Sequence, residues 1–144
     1  MTLNQYPPVA FHFSVSFGAD GGETSFMEVS GIESRLETIT IREGGENRFH
    51  HTLPVRAKYP NLVLKRGMIK DSAVISWCRK AIENLDIEPI TLQVILLNEV
   101  HEPLAGFNFI NAYPVKWSIS GLDAGRNEIV VETLELSYQY FRRI

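Results

Sequence analysis

A chain of 144 residues and 16.3 kDa is long enough to bury ~70% of its unfolded surface, so it needs no metal or disulfide to fold. Apolar residues make up 44% and charged residues 22%, which excludes wholesale disorder and collagen-like repeats. The lone cysteine, Cys78, excludes an intramolecular disulfide and any zinc site built on several thiolates.

The net charge of −3 hides segregation along the chain. Residues 19–47 carry a net −5, residues 48–70 a net +6 without a single acid, and residues 71–144 a net −4. The basic block has three readings: phosphate contacts with nucleic acid, an ordinary solvated face, or a complement to the acidic block on another copy of the chain. The opening Met1-Thr2-Leu3-Asn4-Gln5 has neither the basic nor the apolar region of a signal peptide. The densest apolar run, Val94 to Leu97, falls far short of the ~18 residues of a membrane helix. Synthesis and folding in a cytoplasm are expected.

In chain order, Val9, Phe11, Phe13, Val15 and Phe17 alternate with small or polar residues, the period-two pattern of a strand with one apolar face. Gly18 to Gly22 has turn chemistry, and Thr24 to Val29 completes a hairpin, interrupted by Ser30-Gly31. Residues 32–53 predict a long hairpin with its turn at Gly44-Gly45. Its arms alternate poorly and are too polar for a core, and a lone ribbon is marginally stable in water. It should therefore lean on a neighbouring subunit. Pro54 and Pro60 bracket an irregular connection, and Asn61 to Arg66 reads as a short strand stopped by Gly67.

One helix is expected, over about 71–85. Val74, Trp77, Cys78, Ala81, Ile82 and Leu85 form a single apolar stripe. Asp71 or Ser72 suits its N-cap, and Asn84 suits a left-handed stop. Strands return with Ile90 to Leu96, a turn at Asn98-Glu99, Leu104 to Ile110, Tyr113 to Ile119 and the long run Glu128 to Phe141, in which Leu134, Leu136, Tyr138 and Tyr140 share a face. The fold class is mainly β: an antiparallel β-barrel or sandwich with one flanking α-helix and a long protruding hairpin. No repeat, low-complexity tract or linker divides residues 1–144, which are expected to form a single domain.

Catalytic and cofactor constellations are not found. His50 and His51 are adjacent on a strand and point to opposite faces, so they do not share an ion. His12 and His101 have no evident partner. Cys78, beside Trp77, reads as a buried hydrophobe, not a nucleophile. Glu132 and Glu135 read as outer-face charges. No catalytic residue, metal or cofactor is expected.

Several segments then match one pattern in order: Phe11-His12-Phe13-Ser14-Val15, Phe26 to Ile32, Arg42 to Asn47, Tyr59 to Gly67, Trp77 in the helix, Asn111 to Trp117, and Glu132 to Tyr138. From about Pro8 to Phe141 the chain resembles the tail tube protein family of contractile-tailed phages and phage-like contractile injection systems. The resemblance implies a β-barrel subunit, six to a ring, with rings stacked as a hollow inner tube that a contracting sheath drives into a target envelope. It implies a structural protein without an active site. Assembly would occur in the cytoplasm of the producing cell and the final place would be the tail or injection particle. Sheath, baseplate and spike proteins would be partners, with DNA or cargo passing the lumen. Inter-subunit contacts would come from the long hairpin and its flanks, with Glu33, Arg35, Glu37, Arg42, Glu43, Glu46, Arg48, His50, Arg56 and Lys58 as the contact residues. Val55 departs from the glycine expected after Leu53-Pro54, and Ile144 leaves little room for an added cap. Alternatives are a tube-initiator ring joining tube to spike, a β-barrel module for a small apolar ligand, and a nucleic-acid binder using residues 48–70.

Overall fold

The computed structural model of the protein describes residues 12–18, 23–42, 50–67, 73–121, 124–125 and 129–144. The described elements are β1 (His12–Ser16), β2 (Glu23–Phe26), β3 (Glu28–Ser30), β4 (Arg35–Arg42), β5 (His50–Lys58), β6 (Leu62–Gly67), α1 (Ala73–Asn84), β7 (Ile90–Leu97), β8 (Pro103–Ile119), β9 (Val131–Ser137) and β10 (Tyr140–Arg143). All described strand pairs are antiparallel.

One sheet runs β2-β1-β7-β8-β9-β6-β3, with β10 also on β8, and β4-β5 forms a separate two-stranded ribbon. The two ends of the long path, β2 and β3, are successive halves of one bent segment. Met27, between them, donates its N–H to the Lys65 carbonyl at 2.8 Å. The sheet curls back toward itself into a sandwich-like body, without the continuous ladder of a closed barrel. Gly31 ends β3 with φ 91°, and a Cβ there would collide with the Asn61 backbone carbonyl, so the interruption read at Ser30-Gly31 requires glycine.

Two expected strands, Leu104 to Ile110 and Tyr113 to Ile119, are a single strand. β8 bends at Asn111, whose φ is 54°, a conformation Asn tolerates better than most residues. Its first part pairs with β7 and β10 and its second part with β9. The expected single strand from Glu128 to Phe141 breaks opposite the same bend, at Tyr138-Gln139. Gln139 N–H donates to the Ile110 carbonyl, and Asn111 Nδ2 donates to Gln139 Oε1, both at 2.9 Å. The break changes the inward face. Leu134 and Leu136 are buried as expected, but Phe141, not Tyr140, joins the core.

Val15, Leu62, Leu64, Leu92, Val94, Phe109 and Leu136 are fully buried at the centre. Phe109, Tyr138 and Phe141 pack with Phe107 and Tyr59 around them, ring centroids 4.9–6.3 Å apart, the tilted and edge-on arrangements aromatic quadrupoles favour. Burial pushes the Tyr138 hydroxyl up to about 12. Phe107, Tyr138 and Phe141 pack against the core cluster.

The helix packs on β8, but its apolar stripe is narrower than expected. Val74, Cys78 and Ala81 are buried, Trp77 is half-buried, and Ile82 and Leu85 are 45% and 82% exposed. Asp71 and Ser72 lie outside the described residues. The left-handed stop falls on Leu85 (φ 57°), not Asn84, and Asp86 N–H reaches back to the Lys80 carbonyl at 3.0 Å. Trp77 stacks edge-on against Phe17 at 5.9 Å and donates Nε1–H to the Glu88 carbonyl at 2.8 Å. Because the ring is only partly buried, Trp77→Ala is expected to lose ~2–3 kcal/mol, below the full range for buried aromatics. A shift of the urea midpoint at constant slope is the readout; an unmoved midpoint contradicts the packing role.

Candidate assembly surfaces

The β4–β5 ribbon supports the expectation that it stands apart. Among the described elements, its arms make substantial contacts only with each other. The hairpin reaches further than the expected boundary at Leu53, because β5 runs through Pro54 to Lys58. Proline lacks an N–H donor, and the ladder absorbs it with an irregularity between Glu37 and Thr38, where pairing jumps from Arg56 to Pro54. Val55 is the extra residue at that bulge.

The bulge also creates an apolar face that plain alternation hides. Ile39 sits directly opposite Leu53, Ile41 opposite His51, and Glu37 opposite Arg56. By register and period two, Ile39, Ile41 and Leu53 lie on one face, and the bulged Val55, with Arg56, opposes Glu37 of that face; the four apolar residues are 51%, 43%, 44% and 49% exposed. The other face carries Leu36, itself exposed, with Thr38, Thr40, Thr52 and Pro54. Exposed apolar faces of this kind mark interaction surfaces.

The expected contact residues are spread along this arm. Glu37 accepts from Arg56 Nε at 2.7 Å. That hydrogen bond and charge hold the Glu37 carboxyl below the usual carboxylate range and the Arg56 guanidinium above its own. A lowered carboxylate keeps its pair above the ordinary range and loses it only as pH falls through the folded value, so the pair is intact at neutral pH. Arg35 lies 3.6 Å from Glu33 and pairs in register with Lys58 at the base of the hairpin. Arg42 pairs in register with His50 at the far end of the described ladder. Glu43, Glu46 and Arg48 lie outside the described residues.

The +6 block is not one face. Arg56 pairs with Glu37, Lys65 lies 3.8 Å from Glu28, and Arg66 is 3% exposed. Arg66 Nε donates to Glu132 Oε2 at 2.9 Å, Trp117 Nε1 donates to Glu132 Oε1 at 2.6 Å, and the Arg66 guanidinium lies 5.1 Å from the Phe26 ring centroid. Glu132, expected on the outer face, is 3% exposed. It shares the inward parity of Leu134 and Leu136 on β9, a signal present in the sequence. His12 and His101, expected to lack partners, are each other's: Nε2 and Nδ1 are 2.9 Å apart.

Cys78 is buried and its thiol is pushed up to about 12, by desolvation first and the Glu132 charge second. The reading as an inert hydrophobe agrees with this. No reaction with Ellman's reagent is expected at pH 8 in the folded protein, and one equivalent in guanidinium; rapid native labelling contradicts it. No group of three or more His, Cys, Asp or Glu among the described residues is placed to hold a metal ion. No helix among them is long and apolar enough to cross a membrane.

Residues 9–142 match the family model of the T4-like virus tail tube protein gp19. The chain belongs to the tail tube protein family. Among solved structures, this tail tube protein is similar to a chain of the anti-feeding prophage baseplate, with 30% identity, a TM-score of 0.84 and 97% of each chain covered. It is also similar to a chain of the extended sheath-tube complex of the PVC extracellular contractile injection system, with 25% identity, a TM-score of 0.83, and 98% of this chain and 93% of that one covered. Hcp1 from Flavobacterium johnsoniae shares the fold at 16% identity, with a TM-score of 0.62 over 92% of this chain and 94% of the other. A comparison with curated proteins finds no match. Tail tube proteins are structural.

Proposed function

We propose that this tail tube protein is the self-assembling inner-tube subunit of a phage tail or contractile injection system, forming six-membered rings that stack into a hollow tube. The observation that carries the reading is the β4–β5 hairpin, which projects from the body with an uncovered apolar face. The proposed contact residues are Glu33, Arg35, Glu37, Arg42, Glu43, Glu46, Arg48, His50, Arg56 and Lys58, of which Glu37 and Arg56 pair across the ribbon next to Ile39 and Leu53. Sheath and baseplate proteins are the proposed further partners, because the relatives at 25–30% identity come from sheath-tube and baseplate assemblies. The role is structural, not enzymatic. Assembly takes place in the producing cell's cytoplasm, and the tube ends in the particle.

Magnitudes favour a repeated contact over a simple dimer. The four exposed apolar side chains offer on the order of 300 Å², well below the ~800 Å² per partner of a stable pair. Such a contact persists when ring closure and stacking repeat it, with distinct donor and acceptor surfaces as heterologous assembly requires. Negative-stain microscopy of concentrated protein should show six-membered rings or tubes. A sample that stays monomeric at every concentration, alone and with baseplate components, overturns the proposal.

A second reading, a tube-initiator ring, is favoured by the baseplate origin of the relative at 30% identity. It predicts stoichiometric binding to a spike protein, and the plain tube subunit does not.

A further inference from the structure

We propose that the apolar face of the hairpin docks in the groove between α1 and the second half of β8 of a neighbouring copy. This rests on the assembly reading above and identifies the acceptor. The groove is lined by Ile75, Cys78, Arg79, Ile82, Glu83 and Trp117. Cys78 is buried at its floor, whereas Ile82 and Trp117 are 45% and 38% exposed. The other described clefts carry more polar linings: Glu28, Lys65, Ser118, Ser120 and Thr133 in one, His12, Ser14, Thr24, Ser25 and His101 in the other.

The chain's own hairpin does not serve, since neither β4 nor β5 makes substantial contact with α1 or β8. A second copy does. Each surface has an apolar strip with an exposed ion pair beside it: Glu37–Arg56 at 2.7 Å on the hairpin and Arg79–Glu83 at 3.4 Å on the helix. On docking, Glu37 meets Arg79 and Arg56 meets Glu83, so the charges match with no net charge buried. Exchanging partners sets register and excludes mispairing more than it adds affinity. The hairpin face and the groove, which do not pair within one chain, form a donor and an acceptor for head-to-tail growth.

The test places a photoreactive benzophenone residue at Leu53 in a minority of copies, co-assembled with an excess of wild-type chain and irradiated. Cross-linked peptides mapping to residues 75–83 or 115–117 of another copy are expected, at least tenfold above any other site. Tubes that form and cross-link elsewhere, or to a sheath or baseplate protein in the whole particle, overturn the acceptor and leave the assembly reading standing. Wild-type protein that never forms rings or tubes overturns both. As a second measurement, E37R/R56E keeps the internal pair but reverses its polarity, and should weaken each contact by up to about tenfold. Adding R79E/E83R to the same chain should restore assembly; failure to restore it overturns the pairing.

Discussion

Replacing Ile39 and Leu53 together by Asp is expected to leave the body folded and to abolish assembly. The two side chains face each other across the ribbon and are about half exposed. Neither belongs to the body's core, with which the ribbon makes no substantial strand or helix contact among the described elements. Surface changes of this kind alter stability by less than ~0.5 kcal/mol. In the proposed contact the same positions would be covered. Losing their apolar burial and burying unpaired carboxylates instead costs ~3 kcal/mol or more per contact, roughly 100-fold in each association constant. The loss compounds because every subunit carries the contact. Circular dichroism should show wild-type strand content and melting, while sedimentation shows only small species. Sedimenting tubes from the double variant would remove the ribbon from the assembly.

The second large effect concerns the buried ion pair that links β6 to β9. Glu132→Ala leaves the Arg66 guanidinium, 3% exposed, without its carboxylate partner and strips Trp117 Nε1 of its acceptor. Breaking a buried pair from one side costs ~3–5 kcal/mol, which at this chain length lowers Tm by roughly 10 °C or more. Arg66→Met with Glu132→Leu should recover most of that loss, because a packed apolar pair removes both desolvation penalties at once. Thermal and urea unfolding of the three proteins test the pattern. A wild-type midpoint for Glu132→Ala would mean that the pair is solvated. A double variant as unstable as the single one would mean that packing, not charge, holds the site.

The places where sequence and structure part have a common physical origin. The helix stripe extended to Ile82 and Leu85 because periodicity records which residues share a face, not how wide the partner sheet is. Where the helix packs on β8, only the Val74, Cys78 and Ala81 part of that stripe is buried. Glu132 reads as an outward charge because charge usually prefers water, although its parity matches Leu134 and Leu136. Its partner Arg66 is 66 residues away in the chain, so nothing local marks the pair. The hairpin's apolar face was missed because the irregularity at Glu37/Thr38 shifts the register, placing Ile39 with Leu53 while Leu36 pairs with Ala57. His12 and His101 meet only because their strands and turn are brought together across 89 residues.

Alternation, turn residues and the helix stripe are local. They depend on the backbone geometry of a few neighbours, so the mainly β class, the single described helix, the inert Cys78 and the existence of a lone hairpin were all readable along the chain, and an ordered series of short motifs was enough to place it among tail tube proteins. Which strands join into one long bent β8, where Asn111 and Gln139 turn the sheet, which carboxylate goes inside and which face of the arm is apolar depend on pairings between distant segments. Those pairings are chosen by the packing of the whole core, because each register competes with every other for the same buried surface.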